Sequence, residues 1–407
     1  MMHDPFAINR REWFGAGALG AAATLLAEPP AWAADGKPSA ERKRDFLRPL
    51  VYMRGDVAAW LARKEFPFSK YDAQLGYLHV DRDFREGVDG SVCTYRYDPT
   101  GARHMVAHAE KACRINTYGD SFTSCEQVSD GETWQELLAA HLGEPIRNFG
   151  IGGYSVYQAY LRMKREEPRS PARLMIVNIF DDDHYRNLLS WQRIRFGVNR
   201  KSTNPPVPHV KFDAVTGELV ECANPCPTAE SLDQLCDLDT CFASMENDYV
   251  LGRYLERESG RKPASAVVPG GTDFDDRDFT RDALRSTMWI VEKIDQFAAK
   301  EGRKVLYVLS YGAQRIRQFV KQGNRFDQPL VDFLDSRGSP CVDLLKTHTE
   351  ELARLKMDLD AYLSRYYIGH YNPLGNFFCA FALKRQLVEM LDPPPPAYSA
   401  SAPTYAP

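Results

Sequence analysis

Several patterns that would point to a particular partner are missing from this 407-residue sequence. It has no long basic run and a formal net charge of −4, which argues against a nucleic-acid surface. No stretch after the N-terminus approaches about 18 uninterrupted apolar residues, so none is predicted to cross a membrane. No Gly-x-Gly-x-x-Gly opens the first predicted strand–helix unit and no Lys-Ser/Thr follows it, which argues against phosphate binding. Internal repeats are also missing.

The first 33 residues are predicted to be an export signal. The pair Arg10-Arg11 precedes a Gly/Ala/Leu run over residues 15–27 and an Ala-Trp-Ala site at 31–33. This order resembles a twin-arginine signal peptide with cleavage after Ala33. The apolar run is too short and too rich in Gly and Ala for a membrane span. We therefore expect the export machinery as a partner, a periplasmic or secreted location, and no stable membrane insertion after cleavage.

Nine cysteines acquire significance if the protein is exported. Four lie close together in a segment rich in Asp, Asn, Pro and Thr: Cys222, Cys226, Cys236 and Cys241. They lack the paired two-residue spacings usual for zinc sites, so disulfides in an oxidising compartment are the favoured interpretation. The others are scattered: Cys93, Cys113, Cys125, Cys341 and Cys379. The odd total leaves at least one thiol without an intramolecular partner, and the connectivity stays open.

Predicted strands and helices alternate through most of the chain. Short or apolar runs predict strands at 114–117, 146–149, 174–180, 304–310 and 340–344. Apolar spacing and capping residues predict helices at 40–65, 133–142, 155–167, 282–301, 325–337 and 373–391. The almost entirely apolar run at 174–180 is typical of a strand buried on both faces. This alternation predicts a three-layer α/β/α fold around a parallel sheet.

Composition suggests where this domain begins and ends. Residues 34–109 are predicted to form an N-terminal helix and a loop-rich lead-in, and residues 110–391 the main domain. Within that domain, residues 190–275 have no sustained period, several prolines and four close cysteines, which indicates a large irregular insertion. The Pro-rich tail at 392–407 cannot bury a core and is predicted to be disordered.

Four polar or glycine-rich blocks follow predicted strands or precede the last helix. They are Gly119-Asp120-Ser121, Asn-Phe-Gly-Ile-Gly-Gly-Tyr at 148–154, Asp-Asp-Asp-His-Tyr-Arg-Asn at 181–187, and Gly-His-Tyr-Asn-Pro-Leu-Gly-Asn at 369–376. Open α/β folds place their chemistry at the carboxyl edge of the sheet, where strand ends meet. Gly119 permits a sharp turn there, and the N–H groups that open the next helix can hold negative charge.

In this order the four blocks resemble the SGNH/GDSL hydrolases, a family of serine esterases and lipases on a flavodoxin-like sheet. The resemblance covers roughly residues 110–190 and 285–391. It implies that Ser121 is the nucleophile and that His370 is the general base, which takes the hydroxyl proton and returns it to the leaving group. It also implies that the N–H groups of Ser121 and Gly153 are donors of the oxyanion hole. No cofactor is implied.

One departure from the family pattern concerns the oxyanion hole. Asp182 stands where the family carries an Asn side chain as a further donor. A carboxyl group can donate a hydrogen bond only when it is protonated, which burial or the like charges of Asp181 and Asp183 would favour. Asn178 and Asn187 are alternatives at other offsets. The same acidic run could ligate a cation through Asp181, Asp183 and His184, although a helix-capping acidic cluster is the favoured interpretation.

The other departure concerns the acid of the triad. The family carries an aspartate two or three residues before the histidine, where this chain has Ile368 and Tyr367. Carboxylates elsewhere in the chain are the candidates to replace it: Asp343, which ends the preceding strand, and Asp358 and Asp360, which are the nearest upstream. Otherwise a backbone carbonyl would have to fix the tautomer of the histidine.

The sequence thus predicts an exported, metal-independent serine esterase or deacetylase. Its expected substrate is a short acyl ester, such as an O-acetyl group on a carbohydrate or a cell-envelope glycan. Two alternatives remain open at this point. One is an O-acyltransferase that uses a sugar hydroxyl as acceptor, and the other is a non-catalytic relative with the same fold that binds a glycan or a protein.

Overall fold

The computed structural model describes residues 39–63, 68–197, 205–213, 215–258 and 277–399. The predicted export signal at 1–33, parts of the predicted insertion and the end of the predicted tail lie outside these residues. The chain divides into two compact units. Within the described residues, the first unit holds 79–184 and 287–399, and the second holds 39–78 and 185–286 with its gaps.

Strands in the described residues are short except for two. They are β1 Ser69–Asp72, β2 Gly76–His79, β3 Arg82–Arg85, β4 Val92–Tyr95, β5 Ile115–Tyr118, β6 Arg147–Asn148, β7 Leu174–Phe180, β8 His209–Phe212, β9 Leu219–Cys222, β10 Lys304–Ser310 and β11 Cys341–Asp343.

The α-helices of the described residues range from one turn to more than six. They are α1 Ser39–Leu47, α2 Arg54–Leu61, α3 Ser121–Ser124, α4 Trp134–Leu142, α5 Val156–Glu166, α6 Asp183–Arg186, α7 Gln192–Phe196, α8 Leu238–Met245, α9 Tyr249–Glu258, α10 Arg277–Lys300, α11 Ala313–Gln322, α12 Gln328–Ser336, α13 Leu344–Leu355, α14 Leu359–Tyr366 and α15 Pro373–Met390. None of these helices is long and apolar enough to cross a membrane.

The first unit is built on a five-stranded sheet in the order β11-β10-β7-β5-β6, with every neighbouring pair parallel. Helices cover the sheet in a three-layer α/β/α arrangement, which confirms the predicted fold class. The two longest strands, β7 and β10, have the predicted bounds and lie side by side at the centre. Both are buried almost throughout, as their apolar sequences require.

Capping residues explain the bounds of several helices in this unit. Thr133 caps α4 by accepting a hydrogen bond from the Glu136 N–H, and Gly143 ends the helix with φ of +78°. Ser129 caps the short 3-10 helix Asp130–Glu132 in front of α4.

Some elements differ from the sequence-based prediction. The helix predicted at 40–65 is two helices, α1 and α2, because Pro49 lies in the 3-10 helix Arg48–Leu50 between them and lacks an N–H donor. The start of the predicted disordered tail is ordered, with a 3-10 helix at Pro396–Tyr398. The first residue of this 3-10 helix, Pro396, lies beside Gly143, and a Cβ on that glycine would be 3.5 Å from the Pro396 Cβ, an ordinary van der Waals distance.

The second unit combines the predicted N-terminal helices with most of the predicted insertion. Its described residues include the antiparallel hairpin β8–β9 and the helices α8 and α9. In its core, the Trp191 indole N–H donates to the Tyr52 hydroxyl at 3.1 Å. The Arg193 guanidinium stacks 3.7 Å from the centre of the Tyr52 ring and donates to the Leu50 carbonyl.

All nine cysteines are free thiols, contrary to the expected disulfides. The physical reason is their packing as small apolar side chains: Cys93, Cys125, Cys226, Cys241 and Cys379 are buried. Burial raises the pKa of the Cys241 thiol to about 12 and so disfavours the thiolate. Among the described residues, no group of three or more His, Cys, Asp or Glu side chains is placed to hold a metal ion.

Candidate functional site

Ser121 is the first residue of the one-turn helix α3, directly after the carboxyl end of β5. Asp120 caps this helix, and its carboxylate accepts a hydrogen bond from the Phe122 N–H at 2.9 Å. The Ser121 hydroxyl donates to the other oxygen of the same carboxylate at 3.2 Å. Asp120 is fully buried and holds the turn at Ser121 through these hydrogen bonds, and only 5% of Ser121 is exposed.

Two glycines allow the backbone to pack closely around this turn. A Cβ on Gly119, which has φ of +153°, would lie 2.7 Å from the Asn178 carbonyl oxygen. A Cβ on Gly150 would lie 2.3 Å from the Ser124 nitrogen. The second glycine-rich block therefore touches the backbone of α3 directly, which only glycine permits.

Side-chain and backbone hydrogen bonds join the second block to the turn at residues 119–124. The Asn148 amide donates to the Thr123 carbonyl at 2.8 Å and accepts from the Gly150 N–H at 2.9 Å. The Ile151 N–H donates to the Gly119 carbonyl at 3.1 Å. Gly153 follows in the left-handed region with φ of +80°. The loop with the predicted second oxyanion donor is thus part of the same packed assembly as Ser121.

His370 lies in the loop before α15 and is buried, with 4% of its surface exposed. Its ring centre is 5.1 Å from that of Phe122, the residue next to Ser121. The Phe122 ring also stacks on Phe180 at 4.3 Å and meets Tyr371 edge-on at 5.2 Å. The Phe122 side chain therefore connects the turn at Ser121, the end of β7 and the loop that holds His370.

None of the three carboxylates named as replacement acids, Asp343, Asp358 and Asp360, has an observed contact with the histidine loop. Asp358 caps α14 by accepting from the Asp360 N–H at 2.9 Å. Asp343 caps α13 by accepting from the Leu345 N–H at 3.0 Å, and its second oxygen pairs with Arg325. Asp360 is exposed and pairs with Arg317, which lowers the pKa of its carboxyl group. Their observed contacts are those of a helix cap and a surface ion pair.

The three aspartates after β7 make different contacts. Asp181 accepts from the Gly312 N–H at 2.9 Å, and Asp183 accepts from the Phe180 N–H at 3.1 Å. Asp182, at the position where the family resemblance places an oxyanion donor, is half-buried. Burial lowers the pKa of His184 to about 4, against the opposing charges of Asp327 and Asp182. These contacts are those of a capping cluster.

The two alternative amide donors are placed differently. Asn178 is buried within β7, two residues before the strand ends, and its Oδ1 accepts no hydrogen bond from the described side chains or backbone. Asn187 donates through its amide to the Ser286 hydroxyl at 3.1 Å. Asn178 therefore lies at the sheet beneath the site, whereas Asn187 is engaged within the second unit.

His348 is a buried histidine that no sequence motif marks, and it contacts the loop that holds His370. His348 Nε2 is 2.8 Å from the Tyr371 hydroxyl and 3.1 Å from that of Tyr367. His348 Nδ1 is 2.8 Å from the Tyr362 hydroxyl. Burial lowers the pKa of His348 to about 3, so that its ring is neutral and can accept one of these hydrogen bonds. The three tyrosines fall within ten residues of sequence, which is the one local signal for this cluster.

Comparison with known proteins gives matches at the level of structure only. Scans against protein-family models and curated proteins find no match. Among solved structures, the protein is similar to the acetyl xylan esterase AlAXEase, with 14% identity, a TM-score of 0.35, and coverage of 67% of this chain and 99% of that chain. It is also similar to a protein described as a lipolytic member of the G-D-S-L family from Desulfitobacterium hafniense DCB-2, with 11% identity, a TM-score of 0.32, and coverage of 67% and 100%.

Proposed function

We propose that the protein is a serine ester hydrolase in which Ser121 is the nucleophile and His370 the general base. The observation that carries this proposal is the packing of three sequence blocks on one turn at the carboxyl edge of the sheet. Gly150 touches the backbone of α3, and the Phe122 ring touches His370. A serine that serves only as a helix cap needs neither neighbour.

In the proposed reaction, the Ser121 hydroxyl leaves Asp120 and donates to the His370 imidazole. His370 takes the proton as the serine oxygen attacks the ester carbonyl, and the backbone N–H groups of Ser121 and Gly153 stabilise the oxyanion. The imidazolium then protonates the departing alcohol, which leaves an acyl-enzyme. Water attacks this intermediate in the same way and releases the acid.

The proposed substrate is a short acyl ester, such as an O-acetyl group on a carbohydrate. The deep burial of both Ser121 and His370 supports a small acyl group. Export, which the N-terminal sequence supports, would give the enzyme access to cell-envelope glycans.

Covalent labelling of the mature protein with a fluorophosphonate tests the nucleophile. Intact-mass measurement should find one adduct on the wild type, none on Ser121→Ala, and much slower labelling on His370→Ala. The matched control is Ser124→Ala, which removes another buried hydroxyl from the same helix turn. It should be labelled like the wild type and should hydrolyse 4-nitrophenyl acetate at a similar rate.

A folded wild type that forms no adduct and releases no acetate would overturn the proposal. The favoured role would then be the non-catalytic binding relative, with Asp182 at the oxyanion position as a physical reason.

A further inference from the structure

The turn at residues 125–128, directly after the nucleophile helix, is held in an unusual backbone conformation. Cys125 has φ of +56° and Gln127 has φ of +72°, so two non-glycine residues occupy the left-handed region within three positions. Side chains other than glycine adopt this conformation at a cost that surrounding contacts must offset. Strain of this kind is a reason to ask what the turn positions.

The buried Arg103 side chain holds the turn through hydrogen bonds to its backbone. The Arg103 guanidinium donates to the carbonyls of Ser124, Cys125 and Val128 at 2.5 to 2.7 Å, and it pairs with Asp130 at 2.7 Å. Arg103 is 2% exposed, so these charge-assisted hydrogen bonds are shielded from water.

A second anchor holds the middle of the turn. The Gln127 N–H donates to the Tyr95 hydroxyl at 2.6 Å, and this hydroxyl donates in turn to the Glu86 carboxylate at 2.5 Å. The Glu126 N–H donates to the Ser121 carbonyl at 3.1 Å. The turn is therefore fixed both to the protein core and to the nucleophile itself.

From this fixed turn, two neighbouring side chains extend to the other two blocks of the site. A Cβ on Gly152, in the loop with the proposed oxyanion donor, would lie 2.1 Å from a Glu126 carboxylate oxygen. The Gln127 Oε1 accepts a hydrogen bond from the backbone N–H of His370 at 2.6 Å. Gly369, with φ of +124°, makes this approach feasible, because a Cβ there would lie 2.8 Å from the same oxygen.

We propose that Gln127 is a positioning residue for the general base: its side-chain oxygen holds the His370 backbone and so orients the imidazole toward Ser121. The inference rests on the proposed function. At residues 367 and 368, where the family resemblance places an aspartate, the chain has Tyr367 and Ile368. Gln127 fixes His370 by accepting a hydrogen bond from its backbone N–H. The Tyr367 hydroxyl anchors the same loop by donating to the Tyr311 carbonyl at 2.9 Å.

Three variants test this role by the rate of fluorophosphonate labelling per folded molecule. Gln127→Met keeps the side-chain length but removes the acceptor, and we expect labelling to slow by about tenfold or more, because small misplacements of reacting groups cost rate steeply. Gln127→Glu restores an acceptor oxygen and should recover most of the rate. The matched control is Gln234→Met, which removes a half-buried glutamine that donates to the Pro225 carbonyl in the second unit. It should label like the wild type.

The pH dependence of labelling separates positioning of the base from general loosening. A carboxylate beside the imidazole favours its protonated form, so Gln127→Glu should shift the acid limb of the rate–pH profile to higher pH. An unshifted profile, or normal labelling of Gln127→Met, would overturn the inference while the wild type still supports the proposed function. Equal slowing of Gln234→Met would overturn it as well. A wild type without any adduct would overturn the proposed function first and the inference with it.

Discussion

Single glycines set how closely the parts of the site approach each other, and Gly150 gives the clearest prediction. Gly150→Ala would place a Cβ 2.3 Å from the Ser124 nitrogen and 2.5 Å from the Thr123 carbonyl carbon, which are backbone atoms that cannot rotate away. We expect a loss of about 1–3 kcal/mol in the free energy of unfolding, as for other overpacked sites, together with slower fluorophosphonate labelling. Denaturant titration and labelling kinetics would measure both.

Gly131→Ala is the control for this substitution, because nothing lies within 4 Å of the added Cβ. It should leave the labelling rate unchanged and should be neutral or stabilise by up to about 1 kcal/mol. Equal behaviour of the two variants would show that the close approach of Gly150 to α3 is unimportant.

Candidate residues of the site can be predicted from sequence where they fall in a local motif. Short blocks of sequence predict Ser121, Gly153 and His370 as site residues, and these roles stay predictions. Gln127 and Arg103 are not predicted, because their partners lie far away along the chain: Gln127 meets His370 and Arg103 meets residues 124–130. A hydrogen bond from a glutamine side chain to a distant main-chain N–H leaves no periodicity or spacing in the sequence.

At the scale of elements, the start of α15 is expected to stabilise both the fold and the histidine loop. The Asn372 side chain accepts from the Gly375 N–H at 2.9 Å and donates to the Arg365 carbonyl at 2.9 Å. Asn372→Ala should lower the free energy of unfolding by about 1–2 kcal/mol through loss of the cap. Asn372→Asp keeps the acceptor near the positive end of the helix dipole but loses the hydrogen bond to the Arg365 carbonyl, so it should recover only part of this loss. Urea titration of both variants measures the effect, and an alanine variant as stable as wild type would contradict it.

Elements were predictable from sequence in proportion to how fully they are buried. The strands β7 and β10 have the predicted bounds because nearly all of their positions are buried and most of their residues are apolar. The helices α11, α13 and α14 are not predicted from the sequence. Each of them has a single buried stripe on a mostly polar sequence, so it contains no apolar run that would indicate it.

For the whole molecule, the buried histidines predict a loss of stability in mild acid. Burial lowers the pKa of His184 to about 4 and that of His348 to about 3, below the ordinary value of 6.5. The unfolded chain therefore binds more protons than the folded protein once the pH falls below about 6.5. The resulting stabilisation is complete above that pH, and it declines by an order of 2–3 kcal/mol per histidine as the pH falls toward about 4.

Urea titrations between pH 7 and pH 4.5 would measure this decline. His348→Gln should flatten the dependence of unfolding free energy on pH, whereas His104→Gln, at an exposed position, should leave it unchanged. An equally steep dependence in His348→Gln and wild type would contradict the assignment to this buried ring.

The order of strands in the central sheet has a consequence for how the chain acquires its structure during synthesis. Strand β7 pairs with β5 on one side and with β10 on the other, and residues 181–303 separate β7 from β10. Until those residues have been made, β7 presents an open edge that can pair with other chains. The proposed nucleophile Ser121 and the proposed base His370 can come together only when most of the polypeptide has left the ribosome, so we expect a truncated chain to lack the proposed activity and to be prone to aggregate.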